Sequence, residues 1–317
     1  MARDTEILGL KPDYTKNYEE VLIETAWRLM DRGNPVLDVA RGMRQTPLAP
    51  DLPSWVPDWS LRPVSTLNPT VIPNEDARFS AGGEAESAVK PILGPIIKTT
   101  DVTSRTCPHS GKIIAQVTRV GEIASFNAPR ETPDNLHKAQ RFLHSLRSFT
   151  NSPGNSSRQW ATDDRYPGDA IWKVPIAHRR VSKSHDFRIT QDLGEDVQLR
   201  DDFGILIGDT SPPQENMFES MDAWTLRSAK VYLDRVCRYA DEKRPLLAYH
   251  DGMGYLGMGP SEMAVNDVVC IIQHARVPYV LRPTDGGAYL VVGEAYVHGL
   301  MYGEGLALGD FIKIILL

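Results

Sequence analysis

Gly254-Tyr-Leu-Gly-Met-Gly-Pro260, Asp267-Val-Val-Cys-Ile-Ile272, Pro278-Tyr-Val-Leu-Arg282 and Gly293-Glu-Ala-Tyr-Val-His-Gly-Leu-Met-Tyr-Gly-Glu304 follow one another near the end of the chain. Together they decide the fold. Val268 to Ile272, the residues around Tyr289 to Ala295, and Phe311 to Ile315 are short β-branched and aromatic runs bounded by Gly, Pro and Asp, the pattern of strands. Between Arg282 and Tyr289, Asp285-Gly286 supplies the kind of residues that accept positive φ in a tight hairpin. Strands at roughly ten-residue spacing with such turns predict a small antiparallel barrel or curled sheet.

Upstream of this module the periodicity changes. Residues 14 to 31 read as an amphipathic helix with Tyr18, Val21, Leu22, Thr25, Ala26 and Leu29 at three- and four-residue steps, entered through an Asn17 to Glu20 capping box. Leu52-Pro-Ser-Trp-Val-Pro-Asp-Trp-Ser60 cannot be helical because of Pro53 and Pro57, so its two tryptophans are expected to anchor an extended segment. Phe79 to Gly83 and Lys112 to Ile123 read as strands, the second with a bulge-prone Gly121, and a short strand is expected at Ile96-Ile97. Asp134 to Phe149 is helical, and Asn151 to Ser157 reads as a flexible tether. Residues 190 to 216 look acidic and loop-like, and the longest helix is expected at Met217 to Asp241 with Phe218, Met221, Trp224, Ala229, Tyr232, Leu233 and Val236 on its buried stripe, ended by Pro245. The fold class is therefore α+β: irregular mixed helices and antiparallel strands with a small C-terminal β-barrel-like module. Segments 1–150, 151–216 and 217–317 are taken as a helix with Trp/Pro-rich and strand regions, a linker region, and a long helix with the β module.

Two stretches carry a family resemblance. The C-terminal motifs quoted above resemble the C-terminal region of fungal heterokaryon-incompatibility (HET) proteins, with their "GYLGLGP", "GDxV", "PxVLR" and "GEAYVHGxMxGE" elements. Asp13-Tyr-Thr-Lys-Asn-Tyr-Glu-Glu-Val21 and Leu52 to Ser60 match the "DYxKxxEEV" and "LPSWVPDWS" elements of the same family, and Ala170 to Arg179 is similar to its "FWRTLxxDR" element, departing at Lys173-Val174. The family's "GD" is Asn266-Asp267 here, and a turn glycine is His274. The resemblance implies a region C-terminal to an N-terminal effector domain similar to Toll/interleukin-receptor domains, which this chain is expected to lack.

Composition narrows the function. The 317 residues carry a net charge of −6, 41% hydrophobic and 24% charged residues, with 23 prolines and 24 glycines, values of a loop-rich soluble globular protein and contrary to a general nucleic-acid binder. Lys173, His178, Arg179, Arg180, Lys183, His185 and Arg188 form a local basic cluster, read as a solvated strand-loop face. Cys107, Cys237 and Cys270 are too scattered for a disulfide framework, which fits a reducing, cytoplasmic setting. No window approaches the apolar length of a spanning helix.

Chemistry-bearing motifs have bland readings. Gly252-Met-Gly-Tyr-Leu-Gly257 matches G-x-G-x-x-G, but Pro260 and a new β run follow where a nucleotide site needs a helix, so these are turn and bulge glycines. Cys107-Pro-His109 stands alone, and His137 and His144 share a helix face with no completing ligand. Cys237 and Cys270 read as small hydrophobes, His298 as a packing residue, and Glu294, Glu304 and Asp310 as turn and cap acids. No catalytic, cofactor-binding or metal residue is assigned, and no cofactor. The leading expectation is a non-enzymatic intracellular recognition or regulatory protein with a protein partner, a HET effector domain or a second copy. The alternative is a stand-alone enzyme or binding protein for an apolar metabolite in fungal secondary metabolism, with Trp55, Trp59, Trp172 and Trp224 lining its pocket.

Overall fold

The computed structural model describes residues 13–31, 51–61, 67, 79–83, 94–95, 112–126, 132–156, 159–160, 168–178, 193–211 and 220–317. In chain order the elements are α1 (Tyr18–Asp31), β1 (Gly94–Pro95), β2 (Ile113–Phe126), α2 (Leu136–Thr150), α3 (Pro153–Ser156), β3 (Gln159–Trp160), α4 (Ala170–Lys173), α5 (Leu193–Leu206), α6 (Met221–Ser228), α7 (Lys230–Tyr239), β4 (Lys243–His250), β5 (Met253–Pro260), β6 (Val268–Ile272), β7 (Pro278–Pro283), β8 (Tyr289–Glu294), β9 (Tyr296–Val297) and β10 (Ile312–Leu316). The class is α+β, as its sequence patterns predict.

Strand β2 organises the sheet. Its first five residues pair with β10, its middle with β6 and its end with β4, all antiparallel. From there the pairing closes on itself: β4 to β5, β5 to β9, β9 continuous with β8 across Ala295, β8 to β7, and β7 back to β6. Closure into this barrel-like ring removes most exposed sheet edge. The register of β2 slips between Arg119 and Gly121 and again between Ile123 and Ser125, and these bulges bend one long strand so that it serves several neighbours. Gly121, the residue whose sequence setting suggested a bulge, lies at the first slip.

Strand side chains alternate between two apolar clusters. In β6, Val269 and Ile271 join Val120, Ile123, Leu246, Tyr255, Val280 and Val292 in a cluster drawn only from strands and their connections. That cluster is the filling of the ring. Val268, Cys270 and Ile272 point the other way, into a larger cluster that also takes in the helices. With both faces covered, all five residues of β6 are buried, which is why its sequence is a continuous apolar run.

The helical layer is built from narrow apolar stripes. On α2, Leu136, Ala139, Phe142, Leu143 and Leu146 are buried and Phe149, at the same periodicity, is partly buried, behind an Asn135 cap whose side chain accepts from the Lys138 N–H. On α1 the predicted capping box is present: Asn17 Oδ1 accepts from the Glu20 N–H at 2.8 Å, and Glu20 Oε2 accepts from the Asn17 N–H at 3.0 Å. The buried stripe of α1 is rotated from the expected one, however. Leu22, Ala26, Trp27 and Met30 enter the core, whereas Tyr18 and Val21 face solvent.

Several expectations are corrected. Residues 193–206 form a helix where a loop was expected; its stripe of Leu199, Phe203 and Leu206 is thin and shares the buried side with Asp202, so its amphipathic signal is weak. The long helix breaks at Ala229 into α6 and α7, because that residue leaves helical geometry at φ −116 and ψ 23. Met221 is exposed, and Pro245 lies inside β4 and leaves the helix to end at Ala240. Phe79 to Gly83 is a turn that clasps the β6–β7 connection through Ala81 N to Arg276 O and Gly82 N to Ala275 O. Residues 151–156 form a helical turn that Asn155 ties to the Phe149 carbonyl, so they are no free tether. The hairpin after β7 takes its positive φ at Gly287, one residue later than expected. The expected strand at Ile96-Ile97 and the stripe residue Phe218 lie outside the described residues.

Two glycines test the closure by steric contrast. A Cβ on Gly257 would sit 2.4 Å from the Tyr296 carbonyl oxygen at the β5–β9 seam, whereas one on Gly286 would meet nothing within 4 Å. Gly257→Ala is expected to destabilise the fold by about 1–3 kcal/mol, and Gly286→Ala to stay within about 0.5 kcal/mol. Urea unfolding monitored by circular dichroism measures both, and equal midpoints for the two variants would contradict the tight seam.

Candidate functional site

The motif residues of the C-terminal module converge on the ring's seams. Asp267, buried just before β6, accepts from Arg282 Nε at 2.8 Å and Nη2 at 2.9 Å, a two-pronged ion pair between β6 and β7. Its Oδ2 also accepts from the Ala264 N–H at 2.7 Å, and Arg282 Nη2 donates to the Glu262 carbonyl at 2.9 Å, so one carboxylate and one guanidinium pin the whole β5–β6 connection. Asn266, beside this clamp, holds φ at +72, and His274 at the next turn holds +61. These are the two positions where the resembled family has glycine, and both use left-handed backbone; asparagine accepts it readily, histidine less so.

A second seam joins β4, β5 and β8. Lys243 and Glu294, both more than nine-tenths buried, approach to 3.5 Å, and Glu294 Oε1 accepts from the Leu67 N–H at 2.6 Å. Gly293, at φ +154, packs where a Cβ would lie 2.8 Å from Pro260 Cγ. Ser54 closes the other end: its N–H donates to the Leu317 carbonyl at 2.8 Å, its hydroxyl bonds the same oxygen, and that hydroxyl accepts from the Val291 N–H at 2.8 Å. Trp55 beside it is completely buried, while Trp59 stays half exposed, so only one of the two expected anchors enters the core.

The helical layer holds a polar cluster around Trp172. Asp169 accepts from Trp172 Nε1 at 3.2 Å and from Lys173 Nζ at 3.0 Å, and Lys173 lies 4.9 Å over the Trp172 ring. Asp196 on α5 faces both Lys173 at 3.6 Å and His178 Nε2 at 2.7 Å, and the Tyr232 hydroxyl on α7 donates to the Trp172 carbonyl at 2.5 Å. Burial holds the His178 ring below the ordinary imidazole range, opposed by Asp196 and reinforced by Lys173 and Arg235. Lys173 and His178 are thus folded inward, which corrects the reading of the basic cluster as a solvated face; its members from Arg179 to Arg188 lie outside the described residues.

The other singled-out residues do not assemble. Gly252 is a turn residue at φ +81, and Gly254 and Gly257 lie within β5, so no helix start follows these glycines. Burial pushes the Cys270 thiol up to about 12 and raises that of Cys237, which keeps both protonated at neutral pH. Exposed His137 lies 3.6 Å from Asp222. Glu294 is buried in the seam, whereas exposed Glu304 accepts from the Tyr302 N–H at 2.7 Å and Asp310 is exposed, so the three acids occupy different environments. The His298 N–H donates to the Leu256 carbonyl at 3.0 Å. Cys107 and His109 lie outside the described residues. Among the described residues, no group of three or more His, Cys, Asp or Glu is placed to hold a metal ion, and no helix is long and apolar enough to cross a membrane. The roles of Ser54, Lys243 and Leu67 had no sequence signal, since each acts through a partner more than 45 residues away in the chain.

Comparison with known proteins gives the same picture. A family model described as the Het-6 beta-barrel domain matches residues 109–310. The chain is 28% identical over 340 aligned positions to heterokaryon incompatibility protein 6, OR allele, of Neurospora crassa, an alignment covering 96% of this chain and 47% of the relative. It therefore spans about half the length of the curated relative it matches. No solved structure matches. The chain belongs to the Het-6 beta-barrel domain family.

Breaking a buried ion pair by removing one partner costs about 3–5 kcal/mol; because Arg282 is partly exposed, Asp267→Asn is expected to cost about 2–3 kcal/mol. The exposed Asp134→Asn, whose carboxylate pairs with Lys138 and accepts from the Asn135 side-chain amide, should leave the unfolding midpoint close to that of the wild type. Guanidinium unfolding of the two variants checks the contrast, and a D267N midpoint equal to that of D134N would contradict it.

His178 gives a pH dependence. Because its folded pKa lies below the unfolded one, the unfolded chain takes up the proton first, so this residue's contribution is intact above about pH 6.5 and is lost as the pH falls toward the folded value. The drop in Tm between pH 7.5 and 5.5 is expected to be smaller in His178→Gln than in the wild type. Identical drops would show that the ring titrates as if exposed.

Proposed function

We propose that this member of the Het-6 family is a non-catalytic recognition module that acts through protein contacts in heterokaryon incompatibility, in the cytoplasm. The observation that carries this reading is where the motif residues are used. Asp267, Arg282, Gly257, Gly293 and Glu294 are committed to ion pairs and close backbone approaches that shut the ring, and the ring is filled by Val120, Ile123, Val269, Ile271, Val280 and Val292. A protein whose distinctive residues maintain a scaffold has its outer surface left for recognition.

The metabolite-enzyme alternative is less well supported. Trp55 and Trp172, two of the residues it would use, pack within the larger apolar cluster, and Trp59 faces solvent. The relative's name attaches heterokaryon incompatibility to a protein about twice as long, and on this proposal recognition belongs to the region this chain matches.

Expression of this chain in a fungal host, beside the full-length Neurospora relative as comparator, tests the reading through colony extension and vital-dye uptake. The chain by itself is expected to leave growth unchanged. Growth arrest or cell death produced by the chain alone would overturn it.

A further inference from the structure

Helix α1 carries apolar side chains on two faces, and only one of them is used. Leu22, Ala26, Trp27 and Met30 enter the core; Tyr18 and Val21 stand on the outer side, each more than 40% exposed, and Tyr14, in the turn that leads into the helix, is 97% exposed. The Tyr18 hydroxyl donates to Asp58 Oδ1 at 3.1 Å, and the Asp51 N–H donates to Glu19 Oε1 at 3.3 Å, so the start of α1 and the segment 51–61 form one surface. Trp59, 43% exposed, follows Asp58 directly on that surface. Tyr14, Tyr18 and Trp59 are the exposed aromatic side chains among the described residues, and all three lie in these two segments.

Carboxylates outnumber cations around the rings. Within residues 13–20 and 51–61 the carboxylates are Asp13, Glu19, Glu20, Asp51 and Asp58, and the single cation is Lys16. Lys16 is already engaged, 2.5 Å from Glu24 and 3.8 Å from Asp13. Hydrogen bonds from Thr15 hold the Asp13 carboxyl below its ordinary range, so it stays charged at neutral pH.

We propose that this acid-rimmed aromatic face is a docking surface for a basic protein segment in which arginines alternate with apolar residues. Guanidinium groups fit both features: they stack on Tyr14, Tyr18 and Trp59 and pair with the surrounding carboxylates. Apolar side chains of the same segment cover Val21 and the ring edges. A second copy of this chain is a poor occupant, since each carries a net charge of −6. The inference rests on the recognition reading above and gives it a surface and a partner chemistry.

The test uses the full chain and a fluorescein-labelled ten-residue peptide of arginine, leucine and serine, with lysine and glutamate versions, read by fluorescence anisotropy at 0.1–0.15 M salt. Binding of the arginine peptide is expected to weaken at least tenfold in the Tyr14→Ser/Trp59→Ser double variant and severalfold in Glu19→Gln. The lysine peptide should bind more weakly than the arginine one, and the glutamate peptide not at all. Tyr14 is almost wholly exposed and Trp59 about half buried, so the single variant Tyr14→Ser, which should keep the wild-type urea midpoint, is measured beside the double variant and is expected to weaken binding severalfold. Equal affinity for wild type and double variant, or no binding by the wild type, would overturn the proposal. So would a wild-type dimer, seen by sedimentation velocity, that the double variant dissolves, because the occupant would then be a second copy. Failure here with growth unaffected by the chain alone removes this surface and leaves the recognition reading standing; growth arrest by the chain alone removes that reading whatever the peptide does.

Discussion

The structure depends on one strand reaching far enough to be shared. β2 runs fourteen residues, from Ile113 to Phe126, and pairs with β1, β10, β6 and β4 along its length. An unbulged strand of that length would keep one twist and one set of faces; the slips at Gly121 and near Ser125 let it leave one group of neighbours and join another. The same residues also link the layers. Ile113, Ala115 and Val117 lie in the cluster that holds the helices, whereas Val120 and Ile123 lie in the filling of the ring. β2 thus links the helical layer to the ring, as β5, β6 and β7 also do, and it adds pairing with β10 and β4.

The ring explains what the family motifs are for. Its seams lie where two backbones approach more closely than side chains allow, as at Gly257 against Tyr296 and Gly121 against Tyr249, or where a buried charge must find its partner across strands, as at Asp267 with Arg282 and Glu294 with Lys243. Such positions tolerate little substitution on physical grounds. Tyr18 and Val21 on the outer face of α1 and the half-exposed Trp59 are under no such restriction, whereas Ser54 and Trp55 in the neighbouring segment belong to the core and the ring seam.

The β module was legible because its signals are local. Val268–Ile272 and Pro278–Pro283 are bounded by turn residues, and Asn135 and Asn17 sit where helix caps require them. What could not be read has physical causes. The register of α1 was misjudged because Tyr18 and Val21 are apolar on the outward face, giving a stripe wide enough to centre in two ways. α5 went unseen because Asp202 occupies its buried side and Val197 its exposed one, which cancels the amphipathic contrast. The seam contacts of Ser54, Leu67 and Lys243 are products of topology, as was the membership of β2 in the same ring as β4 to β9. Gly252 lies in a turn and Gly254 and Gly257 in β5, the β setting that Pro260 and the apolar run after it imply.

Hydrogen exchange read by mass spectrometry on the intact chain tests the shared-strand account most directly. If β2 joins the ring to the helical layer, amides of residues 113–126 exchange only by global unfolding, at the same slow limit as those of β4, β6 and β7, and shift together with them when denaturant is added. Exchange of the 113–126 peptides ahead of β6 and β7, with the rest of the sheet still protected, would show a peripheral strand and contradict the account.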